Sequence, residues 1–221
     1  MQKFDTPAPV SAIVDIPAGR IQFIAADRAD TTVEVLPANR SKSRDVKAAA
    51  LVRIAYADGV LRVEAPEAKS RILGSSGSVE VTVQVPAGSR VEAKAAAAEF
   101  RGVGRLGDVT FEGGHRSVKL DEADAVHLAG LDADITVGRL NGSAEIGTQK
   151  GDVTVGEAAR GTLTLSTLMG DITVGAAPGV SAALDAGTTL GRISNTLKNT
   201  DTPDLTIHAT TAHGNIAAHS L

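Results

Sequence analysis

Residues Gly151–Gly175 read GDVTVGEAARGTLTLSTLMGDITVG, a phrase followed by the start of the same phrase. Gly151-Asp152-Val153-Thr154-Val155 returns 19 residues later as Gly170-Asp171-Ile172-Thr173-Val174. Between them Thr162-Leu163-Thr164-Leu165-Ser166 alternates apolar and polar. Alternation with period two is the pattern of a strand that buries one face. The unit is therefore strand, corner, strand, corner, repeated.

Working outward, the first inward apolar position of each opening strand falls at Phe100, Val118, Ile135, Val153, Ile172, Ile193 and Ile216, at intervals of 17 to 23 residues. The second strand of each unit contributes Val109, Val126, Ala144, Leu163, Ala182 and Leu205, followed two residues on by Phe111, Leu128, Ile146, Leu165, Leu184 and Ile207. A near-constant period of this size is the mark of a solenoid. The expected fold is all-β, a two-sheet parallel β-solenoid of the β-helix or β-roll kind, with repeats of about 17–23 residues stacked about 4.8 Å apart. Gly138, Gly156, Gly161 and Gly175 fall at the corners, where positive φ is expected.

Residues 1–90 are expected to form a less regular β region, continuous with a repeat array over 91–221, as one structural domain overall. Val10–Ile16 and Arg20–Ala25 read as strands broken by Pro17-Ala18-Gly19, and Thr31–Leu36 as a third. Asp45–Ala50 suits a helical turn. Asp58-Gly59, between Leu51–Ala57 and Val60–Ala65, signals an antiparallel hairpin with a type I′ turn. Ser78–Val85 alternates cleanly and stops at Pro86. Val91–Glu99 (VEAKAAAAE) has helical propensity but no apolar stripe, and reads as extended or a single turn of helix.

Composition narrows the function classes. Phe4, Phe23, Tyr56, Phe100 and Phe111 are the only Phe, Tyr or Trp residues, so the core must be aliphatic. Cysteine is absent, which excludes disulfides and thiolate-bound zinc. Net charge is +2 over residues 1–110 and −6 over 111–221. An acidic array poor in aromatics suits no nucleic acid, which needs basic groups and stacking platforms. No run reaches the length of a membrane span, and MQKFDTPAPVS has no apolar signal region, so a cytoplasmic location is expected.

Lys3-Phe4-Asp5-Thr6-Pro7, Tyr56-Ala57-Asp58-Gly59, Val85-Pro86-Ala87-Gly88-Ser89 and the recurring Gly-Asp-(Val/Ile)-Thr-Val occur here in one order. With them the chain resembles, over essentially its whole length, a bacterial β-strand-repeat domain of unknown function labelled "putative adhesin". The resemblance implies a β-solenoid with no established enzyme activity. Arg116-Ser117, Ala133-Asp134 and Gly191-Arg192 depart from Gly-Asp in that column.

Four groups of residues bear on chemistry. Asp134, Asp152 and Asp171 would stack in one column, ending in Arg192 and Asn215. Such carboxylates either hold a cation such as calcium or accept hydrogen bonds from turn N–H groups. The Gly-Gly-x-Gly-x-Asp loop of calcium-binding β-rolls is missing. His115, His127, His208, His213 and His219 lack metal-ligand spacing, and no nucleophile motif is present. Thr136, Thr154, Thr162, Thr164 and Thr173 line outward strand positions, a face on which a glycan is possible. Arg40, Lys42, Arg44 and Lys47 in one polar loop, and Gly74-Ser75-Ser76-Gly77-Ser78, are the candidate anion sites, without the Lys and helix of a phosphate loop. No catalytic, cofactor-binding or metal residue is assigned, and no cofactor is expected.

The expected function is a non-enzymatic β-repeat scaffold or protein-interaction module, adhesin-like, meeting a protein partner or a second copy through a sheet face or a solenoid end. One alternative is a carbohydrate-binding or carbohydrate-active β-helix protein, which needs clustered carboxylates and usually aromatic platforms. The other is a calcium-dependent surface protein.

Overall fold

Almost every alternating run becomes a strand. The computed structural model describes residues 1–66, 77–113 and 116–221, and these form seventeen strands and one helix. The strands belong to one large mixed sheet that does not close on itself.

The N-terminal part holds β1 (Gln2–Asp5), β2 (Ser11–Ala26), β3 (Asp30–Pro37), α1 (Ser43–Leu51), β4 (Arg53–Ala57), β5 (Val60–Glu64) and β6 (Val79–Pro86). The expected break at Pro17-Ala18-Gly19 is a bend inside the single strand β2. Strands β4 and β5 form the antiparallel hairpin, and Asp58 and Gly59 both take positive φ, 51° and 78°. Strands β1–β3 and β3–β6 are also antiparallel, whereas β2 lies parallel to β5 and β6. Three of the recognisable N-terminal phrases tie these pieces together. The Phe4 ring packs on Tyr56 at 5.2 Å between centroids. The buried hydroxyls of Thr6 and Thr31 share a hydrogen bond of 2.9 Å. Buried Ser89 Oγ donates to Pro86 O and accepts from Val10 N.

From β7 (Arg90–Gly113) onward the pairing is parallel. The Ala-rich run Val91–Glu99 is extended: it lies inside β7, which pairs along nearly the whole of β2. Burial of alternate alanines against β2 outweighs their weak preference for helix. β7 then returns over itself, with Gly107 N donating to Ser89 O at 2.9 Å and Lys94 Nζ 3.2 Å from Glu112.

The remaining strands are β8 (Val118–Ala129), β9 (Ile135–Leu140), β10 (Ala144–Lys150), β11 (Val153–Ala158), β12 (Gly161–Met169), β13 (Ile172–Ala176), β14 (Ala182–Leu190), β15 (Ile193–Thr196), β16 (Leu205–His213) and β17 (Ile216–Ser220). Two ladders of parallel pairing run through them. The first aligns Phe100, Val118, Ile135, Val153 and Ile172, as expected from the repeat. The second aligns Val109, Val126, Ala144 and Leu163. Their inward residues belong to one continuous aliphatic core, with Phe23, Phe100 and Phe111 in contact at its N-terminal part.

The last two units depart from sequence order. β13 pairs with β17, not β15, and Ile172 stacks on Ile216, which stacks in turn on Ile193. Likewise β12 pairs with β16, and β14 lies beyond it. The final unit is thus inserted beneath the one that precedes it. Its register on β12 also differs by two residues from the simple alignment: Leu163 faces Ile207, and Gly161 faces Leu205. A shift of two preserves the buried face, so the pattern alone does not detect it.

The corner glycines need a second correction. Of Gly138, Gly156, Gly161 and Gly175, only Gly161 takes positive φ, 96°. The other three permit close stacking instead: a Cβ on Gly138, Gly156 or Gly175 would stand 2.6, 2.7 or 2.2 Å from a carbonyl oxygen of the neighbouring strand. Positive φ falls on the phrase glycines, among them Gly151 at 126° and Gly170 at 155°.

Candidate functional site

The aspartate column forms, and its oxygens bond the backbone. Asp152 N donates to Asp134 Oδ1 at 3.0 Å, and Asp171 N donates to Asp152 Oδ1 at 2.8 Å. Asn215 N donates to Asp171 Oδ1 at 2.6 Å, and Arg192 N donates to Asn215 Oδ1 at 3.1 Å. Each carboxylate therefore takes up the N–H of the next unit, which relieves crowding of like charges along the stack. The bonds follow the spatial order 171–215–192, not the order of the chain. Among the described residues no group of three or more His, Cys, Asp and Glu side chains is placed to hold a metal ion.

A second column beside it escapes the sequence reading. Thr148, Thr167 and Thr211 are buried, and they align with one another and with Thr188 across β10, β12, β16 and β14. Thr167 Oγ1 donates to Gly151 O, Thr211 Oγ1 to Gly170 O, and Thr188 Oγ1 to Gly214 O, at 2.9–3.1 Å. The fuller phrase is Thr-x-x-Gly-(Asp/Asn/Arg), at Thr148–Asp152, Thr167–Asp171, Thr188–Arg192 and Thr211–Asn215. The constant spacing from Thr to Gly was the available signal.

Outward positions of the second ladder carry a mixed polar row. Thr110, His127, Glu145, Thr164, His208 and Asp185 are successive neighbours. His127 Nδ1 lies 3.2 Å from Glu145 Oε2, and His208 Nδ1 lies 3.4 Å from Asp185 Oδ2. These are exposed pairs of little energetic weight. Part of the row, with Arg90, Asp108 and Thr162, lines a shallow depression of about 440 Å³. Thr136, Thr154 and Thr173 form a separate half-buried column on the first ladder. His213 is exposed in the corner column next to Met169 and Leu190, and His219 is half-buried on β17. His115 lies outside the described residues.

The basic loop does not make an anion cradle. Arg40, Lys42, Arg44 and Lys47 are all exposed. Lys42 joins Arg20 and Arg116 around a hollow of about 440 Å³, but Asp45, Glu80 and Glu99 line the same hollow. Arg20 Nε is paired to Glu99 Oε2 at 3.1 Å. Buried Asp45 accepts Ser78 N at 3.0 Å, which anchors α1 to the start of β6. Residues 74–76 of the Gly/Ser run lie outside the described residues.

The end of the ladders is the most distinctive surface. Ile193 occupies the column of Ile172 and Ile216, which are 0% and 1% exposed, yet it is 47% exposed. All four residues of β15 are exposed, and Leu190 just before it is exposed as well. Among the described residues, β14 pairs as a strand only with β16 and β15 only with β17, so both are edge strands, with Ala182 N at the start of β14 donating to Lys198 O. At the opposite end the edge strands are β4 and β1, paired antiparallel with β5 and β3. In the corner column, two or more rungs from the β14–β15 end, Leu131, Leu168 and Met169 are also exposed, around a hollow with Asp132 and Lys150.

No protein-family model and no curated protein matches the chain. Solved structures similar to it include "a putative cell adhesion protein" from Clostridium sporogenes, with 11% identity over 100% of this chain and 98% of that one, and a TM-score of 0.36. They also include "a putative adhesin" from Bacteroides fragilis, with 16% identity over 98% and 95% of the two chains and a TM-score of 0.43. Another, from Parabacteroides merdae, shows 16% identity over 100% and 93%, with a TM-score of 0.45. Likenesses of this size carry no function from one chain to another.

Proposed function

We propose that the chain is a β-solenoid scaffold that acts as a non-enzymatic, adhesin-like protein-interaction module, with its docking surface at the β14–β15 end. The observation that carries this reading is the exposure of Ile193 in a column whose other members are buried. An apolar residue at the end of a repeat stack, beside unpaired backbone N–H and C=O groups, favours a partner that continues the sheet. The aspartate and threonine columns support a structural role for the repeat, because their polar atoms bond the backbone of neighbouring strands. The cytoplasmic location expected from the sequence belongs to the same proposal, and fractionation of cells making the chain tests it.

The test is affinity capture with the intact chain and with a variant carrying both Leu184→Glu and Ile193→Glu. A partner held by the first and lost by the second supports the reading. Equal capture by both moves the docking surface elsewhere.

A second reading, glycan binding, is favoured by the depression on the outer face of the second ladder. There Arg90, Asp108, His127, Glu145, Thr162 and Thr164 offer donors and acceptors within about 440 Å³. Glycan-array binding that falls on Glu145→Ala would support it. Release of reducing ends from a polysaccharide panel, abolished by the same change, would make the chain carbohydrate-active instead.

A further inference from the structure

We infer that two copies of this chain join end to end through β14 and β15, each strand adding antiparallel to its own counterpart about a twofold axis. The inference rests on the proposed docking end and names its occupant as a second copy.

Three observations select that occupant. First, both ladders stop at the same level. β14 is the outermost strand of one and β15 of the other, and they are joined through Gly191-Arg192. A single extended peptide could continue one ladder and leave the other open. A partner that continues both must present two strand edges at the same separation, and the same end of a second copy does so. A twofold axis crossing both ladders sets β14 against β14 and β15 against β15, antiparallel, as isologous interfaces require.

Second, beyond its first residue, where Ala182 N donates to Lys198 O at 2.9 Å, the β14 edge carries little of the usual protection. Residues 182–196 hold one acidic and one basic side chain, Asp185 and Arg192, and contain no proline or lysine. β14 and β15 pair with their neighbours without a bulge. Natural edges are commonly blunted by lysine, proline or bulges. Over these residues the single negative and single positive charges balance, so the paired strands meet without net repulsion. The half-buried inward residues Leu184 and Ala186 of one copy would cover those of the other, as the exposed Ile193 pair would on the second ladder.

Third, the opposite end is built differently: its edge strands β4 and β1 are paired antiparallel, to β5 and β3. The twofold pairing uses up the β14–β15 end of both copies. The assembly stops at two copies instead of growing into a filament.

Light scattering during gel filtration is the first test. The expected mass is twice the 22.5 kDa of one chain. Leu184→Glu with Ile193→Glu sets like charges against each other across the twofold, and should leave a monomer with an unchanged circular dichroism spectrum. The chain contains no cysteine, so single-cysteine variants report position cleanly. Among Leu184→Cys, Ala186→Cys and Thr188→Cys, tested separately, at least one should close a disulfide between copies under mild oxidation, and Thr154→Cys on the sheet face should not. A monomeric wild-type chain, a dimer that survives the double glutamate change, or no disulfide in any β14 variant each overturns the pairing. A monomer that still captures a different protein through this end would sink the self-pairing alone and leave the docking surface standing.

Discussion

Ile193 stacks in register on Ile216, yet Ile193 is 47% exposed and Ile216 1%. One rung of parallel strand separates an open end from a dry core. The same substitution should therefore have opposite outcomes at the two sites. Ile216→Asp strands a charge among aliphatic side chains and should destabilise the fold by about 3 kcal/mol or more. Ile193→Asp should change the denaturation midpoint little when both chains are compared as monomers, in the Leu184→Glu background at low protein concentration. Urea unfolding followed by circular dichroism measures both, and equal losses would place Ile193 inside the core.

Asp152 acts as an acceptor in the column, with Asp171 N donating to its Oδ1 at 2.8 Å. Asp152→Ala should cost about 1 kcal/mol for the lost bond. Asp152→Asn keeps an acceptor oxygen and should cost clearly less. If the column is structural, calcium should raise the melting temperature of neither the wild type nor Asp152→Asn. A rise confined to the wild type, measured by scanning calorimetry, would restore the cation reading.

Buried Thr167 tests the threonine column. Thr167→Val keeps the shape but leaves Gly151 O without its hydroxyl donor, and should destabilise by about 1 kcal/mol. Thr164→Val, three strand positions earlier on the exposed face, should be near neutral. Paired denaturation curves decide between a stitching hydroxyl and one that merely fills space.

Gly170 combines positive φ, 155°, with a neighbouring backbone: an added Cβ would lie 2.0 Å from Gly151 O. Gly170→Ala should force adjacent units apart and lower the melting temperature sharply. At Gly187, on the open edge, nothing lies within 4 Å of an added Cβ, and Gly187→Ala should be tolerated. Comparable melting temperatures for the two variants would contradict the close stacking.

Acid should loosen the N-terminal strands before the rest. Asp30 accepts from Arg28 Nε at 2.7 Å and lies 3.0 Å from Lys3 Nζ, and these two partners hold its carboxyl down to about 2 from the ordinary 3.8. A folded value below the unfolded one means that the contribution is fully present above about pH 4 and is lost as pH falls toward 2. Strand β1, tied to β3 through this group, should show faster amide exchange over that window. Asp30→Asn should remove the pH dependence.

Much of this architecture was legible as text. Alternation and the repeating Gly-Asp phrase marked the strands, their inward residues and the order of the first five units, because a period of two can bury only one face. Asp58-Gly59 marked its hairpin, because few residues accept two successive positive φ values. The Ala-rich run in β7 was less legible, since burial beside β2 is a long-range effect that local propensity does not contain. The threonine column was present in the spacing from Thr to Gly, but outward and inward threonines look alike until a neighbouring unit supplies the acceptor carbonyl.

The sequence by itself determined that the chain repeats and which apolar side chains alternate onto the buried face, because a period of two leaves only one face to bury. It did not determine which unit lies last, because parallel stacking in register accepts any order of units with the same buried face. The tertiary structure settles this through one side chain. Asn195 shares a column with Val137, Val155, Val174 and Ala218. If the units stacked in chain order, its amide NH2 would be packed between Val174 and Ala218 and away from water, a penalty of about 1–3 kcal/mol. With β15 outermost, Asn195 is exposed and its Oδ1 accepts Leu197 N at 3.0 Å. The loop from Thr196 to Asp204 is long enough to let the chain step back, and Ile216 and Ala218 fill the buried level in its place.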